Sequence, residues 1–590
     1  MRIYLADLGH NLLTRSSDTY PLGVANLATY ATAALGPSTP LRIFLFREPQ
    51  DLKAALDREA PDLLGLSSYA WNEALSYDFA RYARRRRPGT LTVMGGPNFP
   101  LVPDVQAEFL RRRPHVDVFV NGPTYEGERA FVNLLRRLAE SGLHRDGLFE
   151  TPVAGLTWID PRTGDLVTGP PVDRIQDLDE IPSPYLEGWM DPFLTTGYLP
   201  LLQIARGCPF SCTFCNSGVE SNRRIYAHSV GNVKADLLYL AERVRPEIAL
   251  SFADDNFGMY ARDEEIADYL GWLQEAYHWP RYIRTTTGKN NSERIIRVMR
   301  KTHGALPMTA AVQSMTPRVL AKIKRHNVKL ETYRAIQAEL DRQGMQSYGE
   351  LILCLPGESR ETFMDGVRRL IEAGAKRISA HQLMLLQGAE LANPDVRRGF
   401  QFDTRFRVVA RNVGNYTGEP VIEVEEMVVA TPTFSLDDYF ETRVFHLLLT
   451  IYHYEGNYEE AIAFAAEHGV TPFDLVVRLQ QMLGAAPEAM RAVVDRFLEE
   501  SREELFLSRE ACLAWARAHY ADLVSGAKGG NLLSKYSLLG RFYATSASLE
   551  FLRAGIAAAI GSSRGFSEEA LRDVMVYLEA VTLHVPFADT

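Results

Sequence analysis

Short apolar runs alternate with amphipathic helical segments along the first 140 residues, and this alternation limits the fold more than any other feature of the chain. The runs fall near 2–6 (RIYLA), 41–46 (LRIFLF), 62–67 (DLLGLS), 90–94 (TLTVM) and 116–120 (VDVFV). Segments of helical period lie near 21–35, 50–58, 72–86, 103–112 and 125–140. Strand-length runs separated by helices imply a parallel sheet built from βα units. Five such units predict an α/β, flavodoxin-like doubly wound domain over residues 1–145, with its ligand at the carboxyl ends of the strands.

Those ends carry Gly65-Leu66-Ser67-Ser68-Tyr69-Ala70-Trp71, then Gly95-Gly96-Pro97-Asn98, then Gly122-Pro123-Thr124-Tyr125-Glu126. Glycines there let backbone approach a ligand, and hydroxyls can bond to it, although ordinary βα turns use the same residues. Arg84–Arg87 and Arg111–Arg113 each close a predicted helix just before a proline, where cations suit the negative end of the helix dipole. No aromatic residues interleave with them, so they read as solvated helix ends rather than a nucleic-acid surface.

Residues 146–197 form a connector with a hairpin around Pro161-Arg162-Thr163-Gly164. A strand near 199–205 then delivers Cys208-x3-Cys212-x2-Cys215. The chain has five cysteines, and the other two, Cys354 and Cys512, are isolated. An odd count so distributed is not a disulfide framework. A structural zinc site would need a fourth ligand, and no Cys/His pair is spaced to give one. A four-iron cluster is normally held by four thiolates, so three would leave one iron open. Behind the cysteines, six βα units over 198–390 predict a partial (β/α)6 TIM-type barrel, with its working residues at the strand ends. These are Asp254-Asp255-Asn256, Arg284-Thr285-Thr286, Gln313-Ser314, and Glu350 on the strand that runs into Cys354. A bridging segment with a strand follows at 391–432, and 433–590 reads as an all-α domain.

The cysteine spacing, with Arg206-Gly207 ahead of it and Phe210 and Phe214 within it, resembles the radical S-adenosylmethionine (SAM) superfamily. The N-terminal segment resembles a cobalamin-binding domain, and the order of the two is that of cobalamin-dependent radical SAM enzymes. The resemblance covers roughly residues 1–385. It implies that Cys208, Cys212 and Cys215 hold a 4Fe–4S cluster whose open iron takes the amino and carboxylate groups of SAM. It further implies SAM contacts from Phe214, Asp254, Asn256, Arg284, Gln313, Ser314 and Glu350. The implied cobalamin contacts are Ser67, Ser68, Tyr69, Trp71, Gly95, Gly96, Pro97, Gly122 and Glu126.

Three departures stand out. Asp7-Leu8-Gly9-His10-Asn11 puts its histidine one position late for the family's Asp-x-His-x-x-Gly, so His10 reads as an ordinary loop histidine. Asp254-Asp255-Asn256 replaces a common Gly-Gly-Glu, and Cys354 stands where a glycine is usual. Cys354 reads as a buried apolar residue rather than a catalytic thiol.

The resemblance implies C-methylation of an unactivated carbon in a small molecule or natural-product intermediate, through methylcobalamin and a 5′-deoxyadenosyl radical. An external electron donor such as flavodoxin or ferredoxin would be the protein partner. A cyclase, ring contraction or oxidative rearrangement on the same cofactors stays open, as does a non-catalytic cobalamin or iron–sulfur sensor. Lys+Arg 64 against Asp+Glu 74 gives a net charge of −10, which argues against nucleic acid or an anionic membrane as the main partner. No apolar stretch approaches the roughly 18–20 residues of a membrane span, and MRIYLADLGHN lacks the character of a signal peptide, so a cytoplasmic protein is expected.

Overall fold

The computed structural model describes residues 1–120, 126–288, 290–327, 329–342, 344, 347–454, 458–561 and 566–582. Its N-terminal part runs β1 (Arg2–Ala6), α1 (Leu22–Leu35), β2 (Arg42–Phe46), α2 (Pro49–Arg58), β3 (Leu63–Ser67), α3 (Glu73–Arg86), β4 (Leu91–Gly95), α4 (Pro103–Arg111), β5 (Val118–Val120), α5 (Gly127–Glu140) and α6 (Arg145–Leu148). The strand order β2-β1-β3-β4-β5 is the doubly wound one, and all four pairings are parallel. Successive residues feed opposite faces, as the two-residue period of a strand requires. Ile3, Leu5, Leu63 and Val93 meet α1 and α5, while Tyr4, Leu64 and Met94 meet Leu52 and Phe79 on the other side.

The connector hairpin, β6 (Leu156–Ile159) and β7 (Leu166–Thr168), adds two antiparallel strands beyond β5 and covers that edge of the sheet. The arginine runs are held by carboxylates. Arg84 pairs with Asp117 at 2.9 Å, Arg87 with Asp62 at 3.1 Å, Arg112 with Glu108 at 2.6 Å, and Arg113 with Glu73.

The barrel begins with β8 (Leu201–Leu202), β9 (Ala205–Arg206) and β10 (Tyr226–Ala227). β9 and β10 pair antiparallel and tie off the cysteine loop between them. Next come α7 (Val230–Ala241), β11 (Leu250–Phe252), α8 (Ala261–Tyr277), β12 (Ile283–Arg284), α9 (Ser292–Lys301), β13 (Met308–Gln313), α10 (Pro317–Lys322), α11 (Leu330–Arg342), β14 (Ser347–Leu353), α12 (Arg360–Glu372) and β15 (Ile378–Gln382). The six barrel strands make two parallel arcs, β8-β11-β12 and β13-β14-β15. Cys354, just past β14, is fully buried with φ +62°, in the left-handed region that glycine enters without steric cost. That conformation explains why a glycine would suit the position.

After α13 (Pro394–Phe400), the segment expected to bridge folds as a long antiparallel hairpin, β16 (Asp403–Asn415) and β17 (Pro420–Ala430). The alternation in VIEVEEMVVA is visible in sequence, whereas Arg405, Arg407 and Arg411 hide the strand character of β16. The hairpin reaches back to the N-terminal domain. The Glu423 carboxylate accepts from the Ala74 and Leu75 amides at 2.9 Å each, filling the start of α3, where the Asn72 side chain makes no cap. Most helices from α14 (Leu436–Tyr452) onward share one core with the second barrel arc, while Cys512, Ala516 and Leu523 pack on Val408, Val413, Ile422 and Val424 of the hairpin. Buried around nearly its whole circumference, α14 is the central helix of that core. Among the described residues no helix is long and apolar enough to cross a membrane.

Glu423→Ala leaves the first-turn amides of α3 without their acceptor. Hydrogen exchange at Ala74 and Leu75 is expected to accelerate at least tenfold, with the barrel amides unchanged, as read by mass spectrometry of the peptides covering them.

Candidate active site between the sheet and the cysteine loop

A cavity of about 360 Å³ opens where the strand ends of the N-terminal sheet face the cysteine loop. One side is built from Leu5 and Asp7, Gly65 to Ser67, Tyr69, Val93 to Pro97 and Val120, with Gly23, Val24 and Leu27 of α1 and Gly127, Glu128 and Phe131 of α5. The cavity therefore runs down between the sheet and two of its helices. The other side is barrel: Gln203, Ala205 to Gly207, Asn216, Ser217, Asn222, Ala253 and Asp255.

Glycine is required at the floor. Gly96 has φ +131°, and a Cβ there would meet the Ser68 carbonyl oxygen at 2.7 Å. Gly23 is different, because a Cβ there meets nothing within 4 Å and would point a side chain into open space.

The cysteine loop is fixed to the sheet side by buried ions. Arg206, two residues before Cys208, donates to both oxygens of Glu128 at 3.0 and 2.8 Å and to Glu126 at 3.1 Å. Glu126 also accepts from Arg174 at 3.2 Å, and Arg174 donates to the carbonyls of Ser221 and Arg224 in the same loop. Desolvation works against the charge on Arg206, but the two glutamates outweigh it and hold its pKa above the usual guanidinium value. A further tie runs from Asn216 Nδ2 to the Pro97 carbonyl at 2.8 Å.

Cys208 and Cys212 are buried and Cys215 is half-buried. Among the described residues no three potential ligands already converge on one metal position, although the three thiols sit within one another's fields. Burial, followed by the Asp255 carboxylate, pushes the Cys215 thiol up to about 11.

The expected SAM contacts divide. Asn256 lies at the cluster loop, with Nδ2 3.3 Å from Cys208 Sγ and its Oδ1 buried without a partner. Gln313 reaches Glu350 at 3.5 Å, and Glu350 faces His381 at 3.6 Å, so these two stand together at the mouth of the second arc. Asp254 is turned to the backbone instead, where its two oxygens accept from the Ile204 and Ala205 amides at 2.8 and 2.7 Å. Burial pushes its pKa up to about 7 against those two donors. The acidic side chain that the barrel side gives to the cavity wall is its neighbour Asp255, which sequence reasoning passed over because both stand in one acidic pair. Ser314 is spent on Glu358 at 2.5 Å, Arg284 on a bidentate pair with Asp18, and Phe214 packs on the barrel core.

The expected cobalamin contacts divide too. Ser67, Tyr69, Gly95, Gly96 and Pro97 line the cavity. Ser68 does not, but its buried Oγ has no partner and its backbone braces Gly95 and Asn98. Trp71 is 38% exposed and stacks on Tyr69 at 4.4 Å. Glu126 is held by Arg174 and Arg206. Gly122 lies outside the described residues. His10 is fully buried, and its two ring nitrogens face Glu423 and Tyr416 of the hairpin at 3.3 Å each.

Residues 11–135 match the model of the B12 binding domain family. The chain is 33% identical over 490 residues to the 2-(S-pantetheinyl)-carbapenam-3-carboxylate methyltransferase of Streptantibioticus cattleyicolor, covering 80% of this chain and 69% of that one. It is 31% identical over 465 residues to the cobalamin-dependent radical SAM methyltransferase TokK of Streptomyces tokunonensis, covering 75% and 65%. The chain belongs to the cobalamin-dependent radical SAM methyltransferases. A solved structure of the cobalamin-dependent SAM radical enzyme OxsB, with aqua-cobalamin and SAM bound, matches the fold with a TM-score of 0.54 at 12% identity, covering 98% of this chain and 84% of that one.

The cofactors of this methyltransferase are cobalamin, SAM and a 4Fe–4S cluster, and the cavity suits them. Small residues at its floor, an orphaned Ser68 hydroxyl beside it and an orphaned Asn222 Oδ1 in its wall leave room and polar partners for a large ring with a tail. Three cysteines in one loop, two of them buried, fit the donor set of a site-differentiated cluster. Alanine at Cys208, Cys212 or Cys215 is expected to abolish the visible absorbance of the reconstituted cluster. Alanine at Cys354 or Cys512, both buried away from that loop, should leave the absorbance in place.

Proposed function

We propose that this methyltransferase places a methyl group on an unactivated carbon of a small natural-product intermediate, held between the cobalamin face of the sheet and the cluster loop. The observation that carries this reading is the cavity itself. Its walls come from the strand ends of one domain and the cysteine loop of the other, with Arg206 and Glu128 at the seam. When bound, SAM on the reduced cluster supplies the radical that takes a hydrogen atom from carbon, and cobalamin supplies the methyl group.

The chain's own residues have simpler roles. Gly95 and Gly96 keep the floor low, and Tyr69 with Val24, Leu27 and Phe131 gives apolar walls that exclude water from the slot that would hold cobalamin. Asn256 and the pair Gln313–Glu350 orient the amino-acid end of SAM. The name of the first relative makes a thioether-bearing bicyclic carboxylate the first substrate to test. A flavodoxin or ferredoxin supplies the electron. An odd cysteine count, with three of the five assigned to the cluster, suits a reducing cytoplasm. Arg84 to Arg87, Arg112 and Arg113 are paired with carboxylates, which supports a site for small molecules rather than nucleic acid.

Two measurements test this. With SAM labelled in its methyl group, the product should carry the label and 5′-deoxyadenosine should form alongside it; an unlabelled product would mean a rearrangement instead. Gly23 is exposed where α1 borders the cavity, so Gly23→Leu should crowd the opening without disturbing the backbone. Bound cobalamin is expected to fall at least tenfold while the cluster absorbance and circular dichroism persist. Wild-type cobalamin content in that variant would refute the assignment of the cavity.

A further inference from the structure

Arg325 sits between α10 and α11, in a turn that folds back on the cysteine loop through the Thr213 amide and the Ile323 carbonyl at 3.2 Å. It is only 4% exposed. Its Nε donates to Asn327 Oδ1 at 3.1 Å, its Nη2 to the Ala311 carbonyl, and its Nη1 lies 3.6 Å from Cys212 Sγ. None of these three acceptors is a carboxylate. A buried guanidinium needs compensating charge, and the Cys212 sulfur is placed to supply it as a thiolate. Burial draws the Arg325 pKa down, while Cys212 first and then Glu350 oppose that shift. The other two cysteines have different neighbours: Cys208 receives the neutral amide of Asn256, and Cys215 feels the carboxylate of Asp255.

Resting on the cluster assignment above, we infer that Arg325 raises the reduction potential of the 4Fe–4S cluster through its cation and its N–H···S bond to Cys212. One electron from an external low-potential donor adds one negative charge to a unit that three thiolates already make anionic, and no proton accompanies it. A guanidinium stays charged throughout the pH range of a protein, so it stabilises the reduced state more than the oxidised one. A low-dielectric surrounding strengthens the effect.

The experiment is an EPR-monitored redox titration of the reconstituted protein without SAM, on wild type, Arg325→Lys, Arg325→Gln and Arg325→Met. At the wild-type midpoint, the ratio of reduced to oxidised cluster should fall about tenfold or more in the Gln and Met variants, a drop of ~59 mV for one electron. Arg325→Lys keeps the charge but loses the fork that reaches Cys212, so its midpoint should fall less. A cluster-bearing Gln or Met variant with the wild-type midpoint overturns the inference, and so does a Lys variant that falls as far as they do. If neither uncharged variant holds a cluster, the Lys variant decides: a lowered midpoint supports the role and an unchanged one overturns it. A wild-type protein that binds no cluster at all overturns the cluster assignment instead.

Discussion

The buried pairing of Arg206 with Glu126 and Glu128 is the constraint on which the rest of the site depends. It joins the first turn of α5, in one domain, to the residue that precedes the cysteine loop in the other. A charge cannot be left alone in such a place, since breaking a buried pair costs about 3–5 kcal/mol through the partner that remains. The two halves therefore share one register, and the cavity between them has fixed walls. Were the domains joined by apolar contact alone, sliding by an ångström would cost little. Here it would strand three ions.

Around that fixed seam the other contacts fall into place. Asp254 anchors the strand that leads into the cysteine loop through two amides, and Asn216 bonds to the Gly96–Pro97 turn. Glu358 gathers Ser314, Thr316 and Thr362 at the far arc. Apart from Asn216, which also lines the cavity, these polar residues face backbone or one another. What they fix is the position of the few side chains that do face it.

Much of this was legible in the sequence because it depends on local periodicity. The βα alternation gave each parallel strand of the N-terminal sheet, and Cys208-x3-Cys212-x2-Cys215 gave the loop chemistry. The individual contacts were harder, because a strand end says only that a side chain stands near the mouth. Asp254 and Asp255 are neighbours of the same type, and only the backbone amides of residues 204 and 205 tell them apart. Arg284 and Ser314 sit at the right strand ends, yet Asp18 and Glu358, far off in sequence, claim them. The partnership of Arg206 with two glutamates about eighty residues earlier has no local signal at all. The same holds for His10, whose neighbours Tyr416 and Glu423 belong to a hairpin more than four hundred residues away.

That hairpin has a consequence for how the chain is made. The amide of Leu75 finds its acceptor on Glu423, 348 residues later. At about 5–20 residues per second, a ribosome needs roughly 17–70 s to cover that distance. The N-terminal domain thus emerges with one helix start unfinished and a histidine without its partners. It waits in that state until the hairpin arrives, well after its own strands have been delivered. Completion of the vitamin-binding half is timed by the last third of the message.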